Sequence, residues 1–154
     1  MTAFKLGDVS FTAPEGYLPR VVVIAAPPSA GGKSAGQMVV KKEASYARNV
    51  VVVSEGLAEG VTAEAYVERQ LLLLQKNLPN FQLLKRGETS VGGYSCPLVE
   101  TQSTGPEGRL LNSMTAYLVV GRMAYTLSAS QLAGLPYQDA RAEYLAILAS
   151  FRVG

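Results

Sequence analysis

The chain has 154 residues, 48% of them apolar and 17% charged, enough to build one core and too weakly charged for a disordered tail. Its 14 basic and 12 acidic residues leave a formal charge of +2, with no basic run longer than a pair, which argues against a phosphate-neutralising surface and so against nucleic acid as a partner. There is no histidine and only one cysteine, so the commonest general base and metal ligand, an internal disulfide and a thiolate zinc cluster all drop out, and no cofactor is expected.

Residues 1–8 carry no basic segment leading into a long apolar run. The longest purely apolar stretches, 21–26 and 116–120, fall far short of the ~20 residues that span a bilayer. The expectation is a single cytoplasmic domain over 1–154 with no stable membrane insertion.

In chain order, a short strand at 9–11 leads into a turn at Pro14 and Gly16, and the β-branched run 21–24 reads as a second strand. Residues 25–36, rich in Pro, Gly and Ala, read as a surface loop. Strand character returns at 37–42 and again at 49–54, where four consecutive valines suggest burial on both faces. Thr62 is placed to cap a helix that starts at Ala63 and ends near Asn77, because Pro79 forbids continuation. Leu71, Leu72, Leu73 and Leu74 cannot all sit on one ~100° stripe, so this helix should be covered on more than one side, by the domain itself or by a partner. Strands follow at 81–84 and, after the Gly92-Gly93 turn, at 94–102, where Pro97 suits an edge or a bulge.

Gly121-Arg122 suits a two-residue type II′ hairpin joining 110–120 to 123–130. Pairing Val120 with Met123 then sets Leu118, Ala116 and Met114 opposite Tyr125, Leu127 and Ala129 on one apolar face. The other face carries Ser113, Thr115, Tyr117 and Val119 against Ser130, Ser128, Thr126 and Ala124, a small, polar, flat surface. A last helix over 137–149 buries a stripe through Tyr144, Leu145 and Leu148. Strands, helix, antiparallel strands and helix predict an α+β domain, an antiparallel sheet flanked by helices mainly on one face.

Catalytic motifs are approached and missed. Gly31-Gly32-Lys33-Ser34 resembles the end of a P-loop, but Pro27 stands where the first glycine belongs and a strand follows where a helix is required. Gly93-Tyr94-Ser95-Cys96-Pro97 departs from a nucleophile elbow at its final position and has no histidine to serve it. Cys96 reads as a small core residue; Glu100 lies within a strand, either facing inward or, more simply, as an edge-strand charge that discourages sheet-to-sheet association. No enzymatic activity is expected from these motifs.

The order Pro14-Glu15-Gly16-Tyr17, the valine strands, Tyr66-Val67 with Gln70-Leu71, Leu78-Pro79-Asn80-Phe81, Gly92-Gly93-Tyr94, Thr115-Ala116-Tyr117, Tyr125-Thr126-Leu127-Ser128 and Leu148-Ala149-Ser150-Phe151-Arg152 resembles the DcrB-related family, whose fold is PsbP-like. Within it, the chain is most similar to the Eag-type chaperones of type VI secretion effectors. The resemblance implies a homodimer that shields the hydrophobic N-terminal transmembrane segments of an effector before export. Family members often carry glutamines on the strand where this chain has Ser113 and Thr115. The residues expected to line a client groove are Val22, Ile24, Gln70, Leu74, Leu111, Ser113, Thr115 and Tyr117. The alternative is a DcrB-related module that binds a soluble protein partner and has no export role.

Overall fold

The computed structural model describes residues 2–6, 9–14, 17–24, 35–42, 48–105, 108–133 and 137–153. Among these residues, ten strands and two helices run in the order β1 (Thr2–Leu6), β2 (Val9–Ala13), β3 (Tyr17–Ile24), β4 (Ala35–Lys42), β5 (Arg48–Gly56), α1 (Ala63–Asn77), β6 (Gln82–Val91), β7 (Tyr94–Thr104), β8 (Leu110–Val120), β9 (Met123–Leu132), α2 (Tyr137–Ala149) and β10 (Arg152–Val153). Seven strands form one sheet in the order β3-β4-β5-β9-β8-β7-β6, and β1-β2-β10 form a second, smaller one. Every pairing in both sheets is antiparallel. The P-loop-like residues 31–34 and most of the 25–36 loop lie outside the described residues, as does Pro136.

The hairpin has the register that the alternation predicts. Val120 pairs with Met123, Leu118 with Tyr125, Ala116 with Leu127 and Met114 with Ala129. Gly121 sits at φ +60°, which a glycine adopts without the steric penalty of a Cβ. Period-two alternation sends Met114, Ala116, Leu118, Tyr125, Leu127 and Ala129 into the larger core. That core also holds Val50, Val52, Leu98 and Cys96 from the neighbouring strands, Phe11 and Ala13 from β2, and Tyr144, Ile147 and Leu148 from α2. The Tyr144 hydroxyl donates to the Ser130 carbonyl at 2.8 Å. Ser150, just past α2, accepts from the Thr12 amide at 2.8 Å and donates to a carbonyl, tying the small sheet to the helix end.

The cover is unequal between the two faces. α2 and the small sheet close one side. On the other, α1 packs over β7 and β8 and builds a smaller core from Leu57, Tyr66, Val67, Val99, Tyr117 and Ala124. Thr62 caps α1 as predicted, its hydroxyl accepting from the Ala65 amide at 3.1 Å. Both ends of α1 are tied down. Before it, the Leu57 amide donates to the Arg122 carbonyl at 2.7 Å. After it, the Thr104 amide donates to the Pro79 carbonyl at 2.9 Å. Asn80, at φ 54°, adds a side-chain bond from Nδ2 to the Thr104 hydroxyl at 3.0 Å.

Three local expectations change. The valine strand β5 is not sealed on both sides: Val50 and Val52 are buried, whereas Val51 and Val53 are half-buried on the face that carries α1. Only part of the leucine run of α1 is covered by the described residues: Leu71 packs against the smaller core and Leu74 is half-buried, whereas Leu72 and Leu73 are 66% and 46% exposed. Glu100 is not an edge charge. β7 lies inside the sheet, Glu100 is 6% exposed, and Arg141 of α2 donates to its carboxylate at 3.0 Å. Pro97 does occupy a local edge, because pairing of β7 with β8 begins only at Leu98.

Arg141→Ala removes a charged partner of the buried Glu100 carboxylate and is expected to destabilise the domain by about 3 kcal/mol. Urea denaturation measures this, and a double Arg141→Met, Glu100→Gln variant should recover most of the loss. In the Gly92-Gly93 turn, a Cβ at Gly92 would sit 2.4 Å from the Phe151 carbonyl oxygen, whereas one at Gly93 meets nothing within 4 Å. Both glycines have positive φ. Gly93→Ala is therefore expected to cost about 1 kcal/mol and Gly92→Ala clearly more, as the shift in denaturation midpoint reports.

Candidate functional site

Among the described residues, the face opposite α2 is uncovered where α1 stops. Its floor follows the β8–β9 seam, where Ser113 and Ser130 hydroxyls lie 2.7 Å apart and Thr115 and Ser128 hydroxyls 3.0 Å apart. Each hydroxyl carries one donor and two acceptor positions, so these pairs keep spare capacity for a further partner. Thr126, Ser128 and Ser130 of β9 and Val51 and Val53 of β5 are half-buried and extend the floor away from the helix.

α1 forms the wall. The Tyr66 hydroxyl reaches Thr126 of β9 at 3.3 Å, so the Tyr66 flank of the helix looks toward this floor. Leu73 lies seven residues on, two helical turns along that same flank, and is 46% exposed. The opposite flank faces β6, where Glu68 pairs with Arg86. Arg69, above the Tyr66 ring at 5.3 Å, also meets Glu55 at 3.7 Å and fixes the start of the wall.

The expected site residues divide accordingly. Leu111 and Ser113 are half-buried on the open face, and Gln70 and Leu74 are half-buried on α1. Tyr117 is a correction: it is 1% exposed and forms the centre of the smaller core, edge-on to Tyr66 with ring centroids 6.0 Å apart. Thr115 is also covered, at 6% exposure, and contributes through its bond to Ser128. The register of β3, β4 and β5 carries Val22 through Gln37 to Val53, and Val53 faces Thr126, so the Val22 and Ile24 positions belong to the same face. They stand four strands from β8, about 19 Å away. Their side chains lie outside the described residues.

Leu73, Val51, Val53 and Ser128 were missed as site residues. Alternation along β5 and the seven-residue step from Tyr66 to Leu73 were available in the sequence, but which flank of α1 meets which strand is a tertiary fact. Gln131 was missed too: it is 1% exposed on the α2 side, opposite Asn112 across the ladder. Among the described residues, neither its Nε2 nor its Oε1 has a hydrogen-bond partner, whereas Asn112 accepts from Gln102 at 3.0 Å.

Nucleophile chemistry has little support at Cys96. The thiol is buried, and burial, with a smaller contribution from Glu88, pushes its pKa up to about 11, so it holds its proton at neutral pH. Burial likewise pushes the Tyr117 phenol up to about 12 and raises that of Tyr66. Among the described residues no group of three acidic or cysteine side chains is placed to hold a metal ion, and no helix is long and apolar enough to cross a membrane.

The sequence profile of the DcrB family matches residues 10–150. The chain belongs to the DcrB family. No functionally curated protein matches it. Among solved structures, this DcrB-family chain is similar to PA94 of Pseudomonas aeruginosa, a protein of unknown function, at 20% identity and a TM-score of 0.57, covering 96% of this chain and 95% of that one. CyanoP, the PsbP of Synechocystis sp. PCC 6803, matches at 13% identity and a TM-score of 0.67, covering 99% and 92%. LpqN of Mycobacterium tuberculosis, involved in cell envelope biogenesis, matches at 16% identity and a TM-score of 0.55, covering 94% and 82%. These likenesses establish the α+β fold as PsbP-like.

The raised pKa values have a pH signature. An unfolded thiol ionises near 9, and the folded Cys96 near 11. Between those values the unfolded state binds fewer protons, so this contribution is intact below about pH 9 and is lost as pH rises through 11. Stability measured by urea denaturation should fall across that window, less steeply in Cys96→Ala. Absorbance near 295 nm should show the Tyr117 phenol ionising above the usual tyrosine range, at about 12.

Proposed function

We propose that this chain is a chaperone or adaptor that binds without catalysis and shields the apolar N-terminal helices of a type VI secretion effector before export. The observation that carries the reading is the asymmetry of the sheet: one face is closed by α2 and the small sheet, while the other leaves a hydroxyl-and-valine floor beside a wall bearing Gln70, Leu73 and Leu74.

The chemistry suits an escorted membrane helix. Such a helix needs its apolar flanks kept from water, which Val51, Val53, Leu73 and Leu74 supply. It also carries small polar residues that seek hydrogen bonds, which the spare capacity of the serine and threonine hydroxyls can meet. Small floor side chains let a helix about 10 Å across approach the sheet closely. The resemblance to Eag-type chaperones supports the export context, and the absence of ionised nucleophiles at Cys96 supports a binding role.

The test is co-expression with the protein encoded beside it, followed by affinity capture of the full chain. The captured partner is expected to carry apolar helices at its N-terminus and to lose solubility without this chain. Leu73→Asp and Ser128→Arg should each reduce the recovered complex at least about ten-fold while leaving the thermal melt of the free domain near wild type. Recovery only of partners lacking apolar N-terminal helices would overturn the proposal and favour a module for soluble proteins.

A further inference from the structure

Of the seven large apolar side chains exposed among the described residues, five lie between Leu72 and Leu84. Leu73 belongs to the wall of the open face. The other four, Leu72, Leu78, Leu83 and Leu84, are 66%, 37%, 45% and 56% exposed and run from α1 through its C-terminal end into the start of β6. Single exposed leucines need no explanation, but a cluster of them marks a surface that is covered in use. Leu72 lies about 120–140° round the helix from both buried residues, Tyr66 and Val67, which places it on the outward crest of α1. Leu83 meets it across a shallow hollow of about 290 Å³ between α1 and β6, where half-buried Leu71 and Phe81 also contribute.

The exposure of Leu84 follows from the ladder. β6 pairs Leu83 with Thr101 and Lys85 with Glu100, so Leu84 is the extra residue of a bulge and has no partner on β7. The bulge and the adjacent Lys85 and Arg86 blunt this edge against a further strand, so whatever covers these leucines needs no strand register. Charge narrows the choice. The chain has 12 acidic residues, yet none falls from Arg69 to Gly87, a stretch that carries Arg69, Lys76, Lys85 and Arg86. Arg69 and Arg86 pair with Glu55 and Glu68 from outside that stretch, and Lys76 and Lys85 are exposed.

We propose that the crest of α1 and the start of β6 form a peripheral docking surface for a membrane with anionic headgroups. Leu72, Leu78, Leu83 and Leu84 enter the boundary between headgroups and acyl chains, where their burial drives binding, and Lys76 and Lys85 meet lipid phosphates. Leucines on an outward crest, interleaved with cations and free of carboxylates in sequence, fit a broad anionic surface better than a matched protein groove. The contact lies on the bilayer and does not cross it, because α1 has 15 residues where a span takes ~20. This surface lies off the floor beside β9, so the docking stands independently of the escort reading.

Vesicle flotation of the full chain tests it without any client. The wild type is expected to float with vesicles of equimolar phosphatidylcholine and phosphatidylglycerol and to stay behind with phosphatidylcholine alone. Salt at about 1 M, which shortens the reach of a charge to about 3 Å, should release most of it. Leu72→Ser combined with Leu84→Ser should cut the bound fraction at least about ten-fold, and Lys76→Glu about three-fold, with thermal melts near wild type. The chain has no tryptophan, so Leu84→Trp supplies a single reporter. Its emission should shift to the blue on adding the anionic vesicles, whereas that of Tyr94→Trp, at the far turn of the β6–β7 hairpin, should not. A wild type that stays soluble with both kinds of vesicle would overturn the proposal and leave the leucines to a protein partner. Equal binding to neutral vesicles, a folded double leucine variant that still floats, or an unshifted Leu84→Trp emission would overturn it as well.

Discussion

The alternation imposed by the β8–β9 ladder governs most of what this domain can do. Once Val120 faces Met123, a strand period of two leaves no freedom: Met114, Ala116 and Leu118 must go to one side and Ser113, Thr115 and Tyr117 to the other. The apolar side collects α2 and the small sheet because it offers the area that burial requires. The polar side offers much less; among the described residues α1 is what packs on it, anchored chiefly where Tyr117, Val99 and Ala124 give it apolar ground. The uncovered remainder results from a hairpin whose two faces differ in composition.

Much of this was legible in the sequence because it depends on local rules. The register of the hairpin follows from Gly121 and alternation, and the start of α1 follows from the reach of the Thr62 hydroxyl. The position of Pro97 likewise followed from the amide it lacks. Features fixed by distant packing were not legible. Glu100 looks like any strand carboxylate until Arg141, forty-one residues on, is brought to it. The four valines of β5 look uniformly buried, and only the shape of α1 and its placement over β7 and β8 decide that Val51 and Val53 stay half-open. β1 and its pairing with β2 were missed because Thr2 to Leu6 carries little strand signal alone and is ordered by its neighbour.

The candidate site was half legible for the same reason. Ser113 and Leu111 lie on the half-open face by parity alone, whereas Tyr117, of identical parity, lies beneath α1. Parity names a face, but it does not say how far a helix extends across it. Leu73 shows the converse: its exposure follows from the number of apolar residues in α1 exceeding what one stripe can bury, yet its direction depends on the Tyr66 contact to Thr126.

The fastening of α1 at both ends carries a consequence for selectivity. With Leu57 bonded to Arg122 on one side and Pro79 and Asn80 bonded to Thr104 on the other, the helix cannot swing outward like a jaw. The channel beside it therefore has a set gauge. In the proposed escort role, such a gauge would sort a bound helix by girth and smoothness more than by residue-by-residue matching, so bulky aromatic side chains would be rejected where exchanges among alanine, serine and glycine would pass unnoticed.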